Sequence, residues 1–89
     1  MDVISIKLTS GEELVTEYAG ESSDYLVINR PRSLVMQSTA QGINLTFMPY
    51  ALSNPDAELS VPKKAIAAIF KPTPDIEKGY LIQVSRIQL

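Results

Sequence analysis

The sequence contains neither cysteine nor histidine. Disulfide bridges are therefore excluded, and a zinc site would have to be built from carboxylates alone, which is an improbable ligand set. No apolar run approaches the ~20 residues of a membrane span, and the first residues, MDVIS, lack the basic and then apolar pattern of a signal peptide. We expect a cytoplasmic protein with no membrane partner, no bound metal and no cofactor.

Positive charge is also scarce. Lys and Arg number eight against ten Asp and Glu, which gives a formal net charge of -2. This balance argues against broad electrostatic capture of nucleic acid, although folding could gather the cations on one side. Lys7 is the only cation before residue 25, and the later cations are Arg30, Arg32, Lys63, Lys64, Lys71, Lys78 and Arg86.

The length of 89 residues suffices for one small domain, and we treat residues 1–89 as one. A chain of this size buries only roughly 60–65% of the surface that its unfolded form exposes. Its own core is therefore thin, and association with other copies is the simplest source of additional stability.

Alternation of apolar and polar residues dominates the first part of the chain. Ile4, Ile6 and Leu8 alternate with polar residues, which predicts a half-buried strand. A polar turn around Gly11 and a second polar turn at residues 20–24 separate two further β-rich runs. Turns this short join antiparallel neighbours, so the pattern predicts a meander. The three strands are predicted at residues 4–8, 14–19 and 25–36, the last with a kink at Pro31.

The second part of the chain predicts further strands and then a helix. Residues 63–70 are alanine-rich, but their short length between two prolines favours a strand over a helix. Thr73 resembles an N-cap before Pro74, and apolar residues then recur at helical spacing, although Gly79 weakens the helix by about 1 kcal/mol. The remaining predictions are a polar loop at residues 37–42, strands at 42–48 and 58–61, and the helix at 74–87.

These elements predict a mostly β fold. We expect a small, strongly bent antiparallel sheet of about five strands over residues 3–70, of the open SH3-like or OB-like barrel class, followed by a C-terminal α-helix. Such barrels leave strand edges unpaired, and apolar edges invite pairing between chains.

Two stretches resemble the Sm-like family (Sm, LSm and Hfq proteins). Residues 4–28 are similar to the first family motif, including an Asp followed by an apolar run at 24–28. Residues 62–69 resemble the last strands of bacterial Hfq, where Lys63 and Lys64 fall on the lysine and histidine of a turn. The two blocks make a little over a third of the chain. The resemblance implies a homo-oligomeric ring in which the fourth strand of one subunit pairs with the fifth strand of the next.

The sequence departs from the family pattern at the base-contacting positions. Ile28 replaces an Asn that contacts bases, and Tyr25 with Leu26 replaces a Gln-Phe pair. The helix follows the sheet instead of preceding it. This combination is similar to divergent Sm-like proteins of viruses that infect bacteria, including cyanobacteria, which implies the cytoplasm of a bacterial host.

The candidate RNA-binding residues come partly from the resemblance, which points to Lys63 and Lys64, and partly from the chemistry of other residues. Lys63 and Lys64 would line a ring pore and contact phosphate, or else form an ordinary solvated turn. Tyr25 would stack on a base, or else pack on its strand neighbours. Arg30 and Arg32 are part of the densest cationic patch, which would touch RNA or guard an edge strand against aggregation.

No catalytic residues are predicted. Asp24 is interpreted as a turn cap, and no P-loop, nucleophile elbow, dinucleotide fingerprint or metal cluster is present, so we predict that the protein is not an enzyme. The preferred hypothesis is a ring that binds single-stranded RNA or acts as an RNA chaperone module. The alternative is a homo-oligomeric scaffold that has lost the RNA site. A third hypothesis, a monomeric SH3-like peptide binder, requires an exposed aromatic groove.

Overall fold

Six strands, one 3-10 helix and one α-helix make up the computed structural model. The structure describes residues 2–88, and of residues 86–88 the backbone alone. The elements are β1 (Val3–Leu8), β2 (Glu13–Glu21), β3 (Tyr25–Thr39), β4 (Gly42–Pro49), β5 (Glu58–Pro62), the 3-10 helix (Lys63–Ala65), β6 (Ile66–Phe70) and α1 (Pro74–Gln88).

The strands form one antiparallel sheet in the order β4-β3-β2-β1-β6, with β5 beside β3. The first half of β3, from Tyr25 to Asn29, pairs with β5, and the second half, from Arg32 to Thr39, pairs with β4. The three residues between β5 and β6 join opposite edges of the sheet, which forces it to curl. Because the described residues contain no ladder between β5 and β6, the curled sheet is open.

The predicted class, a mostly β fold with a bent antiparallel sheet and a C-terminal helix, is therefore confirmed. The strong bend has local causes. In β2 the pairing with β3 shifts register between Val15 and Glu17 and again between Tyr18 and Gly20, where Gly20 has φ 136. A residue without Cβ adopts this φ at little cost. These two irregularities bend β2, a role that the sequence analysis assigned to no residue.

The inner face of the sheet holds one apolar core. Its buried members are Ile6, Leu8, Leu14, Leu26 and Ile28, and the partly buried Ile4, Tyr50, Leu59, Val61 and Ile66 pack against them. Strands β1, β2, β3, β5 and β6 all contribute, so the curl of the sheet encloses this core without help from the helix.

The outer face of the sheet carries α1. The side chains that meet there are Val3, Val15, Leu34, Phe47, Ile76, Tyr80, Leu81 and Val84. The rings of Phe47 and Tyr80 meet edge-on with centroids 6.4 Å apart. A Cβ at Gly79 would lie 3.1 Å from Phe47, so this glycine lets the helix approach β4 closely.

Several local predictions need correction. The predicted polar loop at 37–42 is largely strand, because β3 continues to Thr39 and β4 begins at Gly42. The predicted strand at 63–70 begins with the 3-10 helix and becomes β6 only at Ile66. The described sheet has six strands, against the expected total of about five. The edge-strand interpretation of Arg30 and Arg32 is wrong, because β3 lies inside the sheet. Among the described residues, no helix has the length and hydropathy that crossing a membrane would require.

Candidate functional site

A cleft of about 260 Å³ lies where the turn between β2 and β3 meets the 3-10 helix. Its lining residues are Ser23, Asp24, Tyr25, Pro62, Lys63 and Lys64. Three of the five predicted RNA-binding residues, Tyr25, Lys63 and Lys64, are therefore brought together from distant parts of the sequence.

Main-chain hydrogen bonds fix the walls of the cleft. The Lys63 N–H donates to the Asp24 carbonyl oxygen at 2.8 Å, and Tyr25 lies opposite Pro62 in the β3–β5 ladder. The Tyr25 N–H donates to Ser22 Oγ at 3.2 Å, so the hydroxyl of Ser22 caps this turn. The sequence analysis assigned the cap to Asp24. Both walls are hydrogen-bonded through the main chain, so the backbone sets the relative positions of the residues from which the ring and the lysine side chains extend.

The two lysines of the cleft differ in their ionic surroundings. Lys63 Nζ lies 2.8 Å from Glu21 Oε2, and Glu21 also accepts a hydrogen bond from Tyr18 Oη at 3.0 Å. Hydrogen bonds from Lys63 and Tyr18 lower the pKa of Glu21, and the bond to Glu21 raises the pKa of Tyr18. Lys64 is exposed and has no ion pair among the described residues. Lys64 is therefore the lysine of the cleft without a carboxylate in contact, although Asp24 also lines the cleft.

Tyr25 presents an aromatic surface beside these cations. The residue is 46% exposed at the start of β3. Its ring is therefore available to an external partner, whereas the alternative interpretation would bury it among strand neighbours. A stacking surface next to an ammonium group that makes no ion pair among the described residues can bind a base and a phosphate of one strand.

Arg30 and Arg32 lie outside the cleft, in the middle of β3, where both side chains bind other parts of the chain. Arg30 has φ 51 and its guanidinium contacts both carboxylate oxygens of Glu17, at 2.9 and 3.2 Å. Arg32 is fully buried, and it donates to the Pro55 carbonyl oxygen at 2.6 Å and to Asp56 Oδ1 at 2.9 Å. A buried guanidinium cannot meet a phosphate, so Arg32 ties the segment after β4 to the sheet.

The outer edge of β6 is the second feature that bears on function. Ala67, Ala68, Ile69 and Phe70 are all exposed, although β6 is apolar throughout. A groove of about 400 Å³ runs beside this strand and reaches Lys63 and Glu21 at the border of the cleft. The edge and the cleft are thus neighbouring surfaces.

No family model matches this sequence, and no curated protein matches it.

Proposed function

We propose that this chain is an Sm-like subunit that assembles into a homo-oligomeric ring and binds single-stranded RNA at the cleft. The observation that carries the proposal is the position of Tyr25 and Lys64 in one cleft, as an exposed ring together with an ammonium group that makes no ion pair among the described residues. The resemblance pointed to Lys63 and Lys64, Tyr25 was a candidate because an aromatic ring can stack on a base, and the cleft unites all three.

Ring assembly is supported by the two borders of the sheet. On one border lies β6, whose exposed residues are alanine, isoleucine and phenylalanine. On the other border β5 and β4 follow one another along β3. Unpaired apolar edges pair readily with other chains, and heterologous pairing of unlike edges closes a ring when the rotation between subunits is right. The cleft adjoins the β6 border, so each subunit contact would bring a neighbouring chain close to the cleft.

Binding would rely on stacking and charge, without chemistry. Stacking of a base on an aromatic side chain is worth about 1–3 kcal/mol and tolerates any base. Lys64 would contact phosphate, while the ion pair with Glu21 leaves Lys63 a smaller share of the affinity. A single site of this kind is weak, and repetition around a ring raises the overall affinity by avidity.

A scaffold that no longer binds RNA is the second candidate. This candidate is favoured because the other predicted RNA-binding cations already form ion pairs within the chain. Lys63 is paired with Glu21, Arg30 with Glu17 and Arg32 with Asp56. The assembly proposed above would remain, and the cleft would be an incidental feature of the two turns.

Two measurements test these proposals. Light scattering gives the mass in solution, and a monomer contradicts both the ring and the scaffold. Fluorescence polarisation of labelled poly-U and poly-A over a salt series then tests binding, which should strengthen at low salt. We expect Tyr25→Ala and Lys64→Ala each to weaken binding by about 5- to 100-fold, in line with loss of one stacking or phosphate contact.

The matched control is Lys78→Ala, which removes one positive charge from α1 and leaves the cleft intact. Equal losses for Lys64→Ala and Lys78→Ala would show binding by net charge alone. The double variant Lys63→Ala with Lys64→Ala should bind more weakly than Lys64→Ala, because the loss of Lys63 leaves the Glu21 carboxylate unpaired beside the cleft, where it repels phosphate. An assembly that gives a flat polarisation signal at low salt supports the scaffold.

A further inference from the structure

Asp24 is the acidic residue that lines the cleft. An aspartate that caps a turn accepts backbone N–H groups with its side chain, but here Ser22 is the cap. The Asp24 carboxylate is exposed, and it accepts no hydrogen bond and makes no ion pair within the described part of the chain. The internal contacts of the fold therefore do not account for this carboxylate.

The second carboxylate in this region, that of Glu21, has a different environment. It accepts hydrogen bonds from Lys63 Nζ at 2.8 Å and from Tyr18 Oη at 3.0 Å. A negative charge in a cleft that captured RNA by charge alone would repel phosphate and lower the affinity. In Glu21 that charge is compensated, whereas in Asp24 it is open to a ligand.

Three hydrogen bonds hold the backbone at Asp24. Its carbonyl oxygen accepts the Lys63 N–H at 2.8 Å. The Ser22 N–H donates to the Tyr25 carbonyl oxygen at 2.9 Å, and the Tyr25 N–H donates to Ser22 Oγ at 3.2 Å. Only the two side-chain torsions of Asp24 are then left to direct its carboxylate at a base that stacks on Tyr25, so little ordering remains to be done on binding.

The chemistry of a carboxylate distinguishes between the four bases. An ionised carboxylate only accepts hydrogen bonds. The Watson–Crick edge of guanine carries two adjacent donors, N1–H and the N2 amino group, which can meet both oxygens. Uracil has one donor between two carbonyl oxygens, and adenine and cytosine each have one amino group beside an acceptor nitrogen. Unpaired bases in single-stranded RNA expose these edges to a protein.

We propose that Asp24 makes the cleft selective for guanine. The base stacks on Tyr25, its N1–H and N2 amino group donate to the Asp24 carboxylate, and Lys64 contacts an adjacent phosphate. This inference rests on the proposed function, because it requires that the cleft bind single-stranded RNA. It adds a base preference to a site that stacking and charge alone would leave indifferent to sequence.

Fluorescence polarisation with labelled RNA hexamers tests the preference on the wild-type chain. One hexamer alternates guanosine with uridine, so that the guanines do not associate with one another, and the other contains uridine alone. We expect the guanosine hexamer to bind about 5- to 100-fold more tightly, the range for one bidentate base contact. A third hexamer, with inosine in place of guanosine, lacks only the N2 amino group and should have an intermediate affinity.

Asp24→Asn tests the residue. The amide keeps the size of the side chain but replaces one acceptor oxygen with a donor group, so the two RNAs should bind with affinities within about twofold of each other. Binding of the uridine hexamer should stay equal or become stronger, because a charge that repels phosphate is gone. Ser23→Ala, at another residue that lines the cleft, is the control and should retain the preference.

Equal affinity of the wild-type chain for all three hexamers would overturn this inference and leave the proposed function in place. An equal loss of both RNAs on Asp24→Asn would also overturn it, because Asp24 would then support the cleft without contacting the base. Failure to bind any hexamer would overturn the proposed function, and this inference with it. If Asp24→Asn does not fold, the inosine comparison decides without a variant.

Discussion

The two halves of β3 have different surroundings, although both alternate in sequence. In the first half, Leu26 and Ile28 are buried in the inner core and the ladder partner is β5. In the second half, Leu34 is partly covered by α1. Beyond Leu34 the hairpin of β3 and β4 continues as an exposed arm, residues 34–47. Alternation therefore establishes a strand with two unlike faces, and the rest of the chain decides whether either face is buried.

The boundary between the halves lies at Arg30 and Arg32. Arg30 takes a positive φ of 51, an uncommon conformation for a residue with a side chain. Tyr80 Oη donates a hydrogen bond of 2.8 Å to the Arg30 carbonyl oxygen, and Arg32 bonds the segment after β4. The bend of β3 is thus stabilised by α1, through Tyr80, and by the segment after β4, through its bond to Arg32. The predictions that follow test this boundary and the contrast between its two sides.

The largest effect is expected for Arg32→Ala. Removal of the buried guanidinium leaves a cavity and deprives the Pro55 carbonyl oxygen of its hydrogen-bond donor. The side chain of Asp56 is 35% exposed, so its carboxylate can be hydrated instead. No charge stays buried, so we expect a loss of about 2–4 kcal/mol from the cavity and the lost hydrogen bonds. Urea unfolding measures this loss. Lys63→Ala, a change at the exposed ion pair with Glu21, is the control and should cost less than about 1 kcal/mol. Similar losses for both would contradict a structural role for Arg32.

The two halves should respond differently to the same strain. Gly20, opposite Val27 in the first half, has φ 136, and Gly42 at the tip of the arm has φ 130. A Cβ added at either glycine would have no neighbouring atom within 4 Å, so alanine brings strain without a clash.

We expect Gly20→Ala to lower the free energy of unfolding by about 1–3 kcal/mol, because Gly20 pairs with β3 at Val27, between the core residues Leu26 and Ile28, where the strand cannot fray on its own. Gly42→Ala should lower it by less than about 1 kcal/mol, since the exposed arm can fray locally. Chemical denaturation compares the two variants. A larger loss for Gly42→Ala would mean that the arm is a rigid part of the cooperative unit.

Tyr80→Phe tests the helix side of the boundary. The loss of the hydrogen bond to Arg30 should cost about 1 kcal/mol at neutral pH. Burial raises the pKa of Tyr80 above that of an unfolded tyrosine, so the unfolded chain releases this proton first as the pH rises. The wild-type chain therefore loses stability above about pH 10, by up to about 1.4 kcal/mol per pH unit from this group, and Tyr80→Phe does not.

Unfolding measured from pH 7 to pH 11 should thus show the difference between wild type and Tyr80→Phe shrinking above pH 10. Comparing the two proteins at each pH cancels the titration of lysines and of the other tyrosines. A difference that stays constant over this range would show that the Tyr80 hydroxyl is not buried in solution.

Much of the fold follows from short-range patterns in the sequence. Alternation located β1, and Thr73 with Pro74 located the start of α1. The 37–42 segment was predicted as a loop because polar residues signal turns, whereas here they pair across an exposed hairpin. The burial of Arg32 could not be predicted, because its partner Asp56 is remote in sequence and their meeting depends on the whole sheet.

The candidate site was predicted in part, and by resemblance more than by pattern. Tyr25 and Lys64 come from separate parts of the chain, and no local signal indicates that the backbone of Lys63 bonds that of Asp24. The ion pair that sets Lys63 apart from Lys64 depends on Glu21, which was predicted as turn and is the last residue of β2. Which lysine meets a carboxylate depends on which residues the folded sheet places side by side, and residues far apart in sequence give no sign of this.

The 3-10 helix of three residues between β5 and β6 has a mechanical consequence. It connects two borders of the sheet that share no ladder among the described strands. The sheet can flatten only if this short helix unfolds, so β5 and β6 should lose their slow amide hydrogen exchange in a single step. The same helix forms a wall of the cleft, and a ligand bound there would therefore also stabilise the curled sheet.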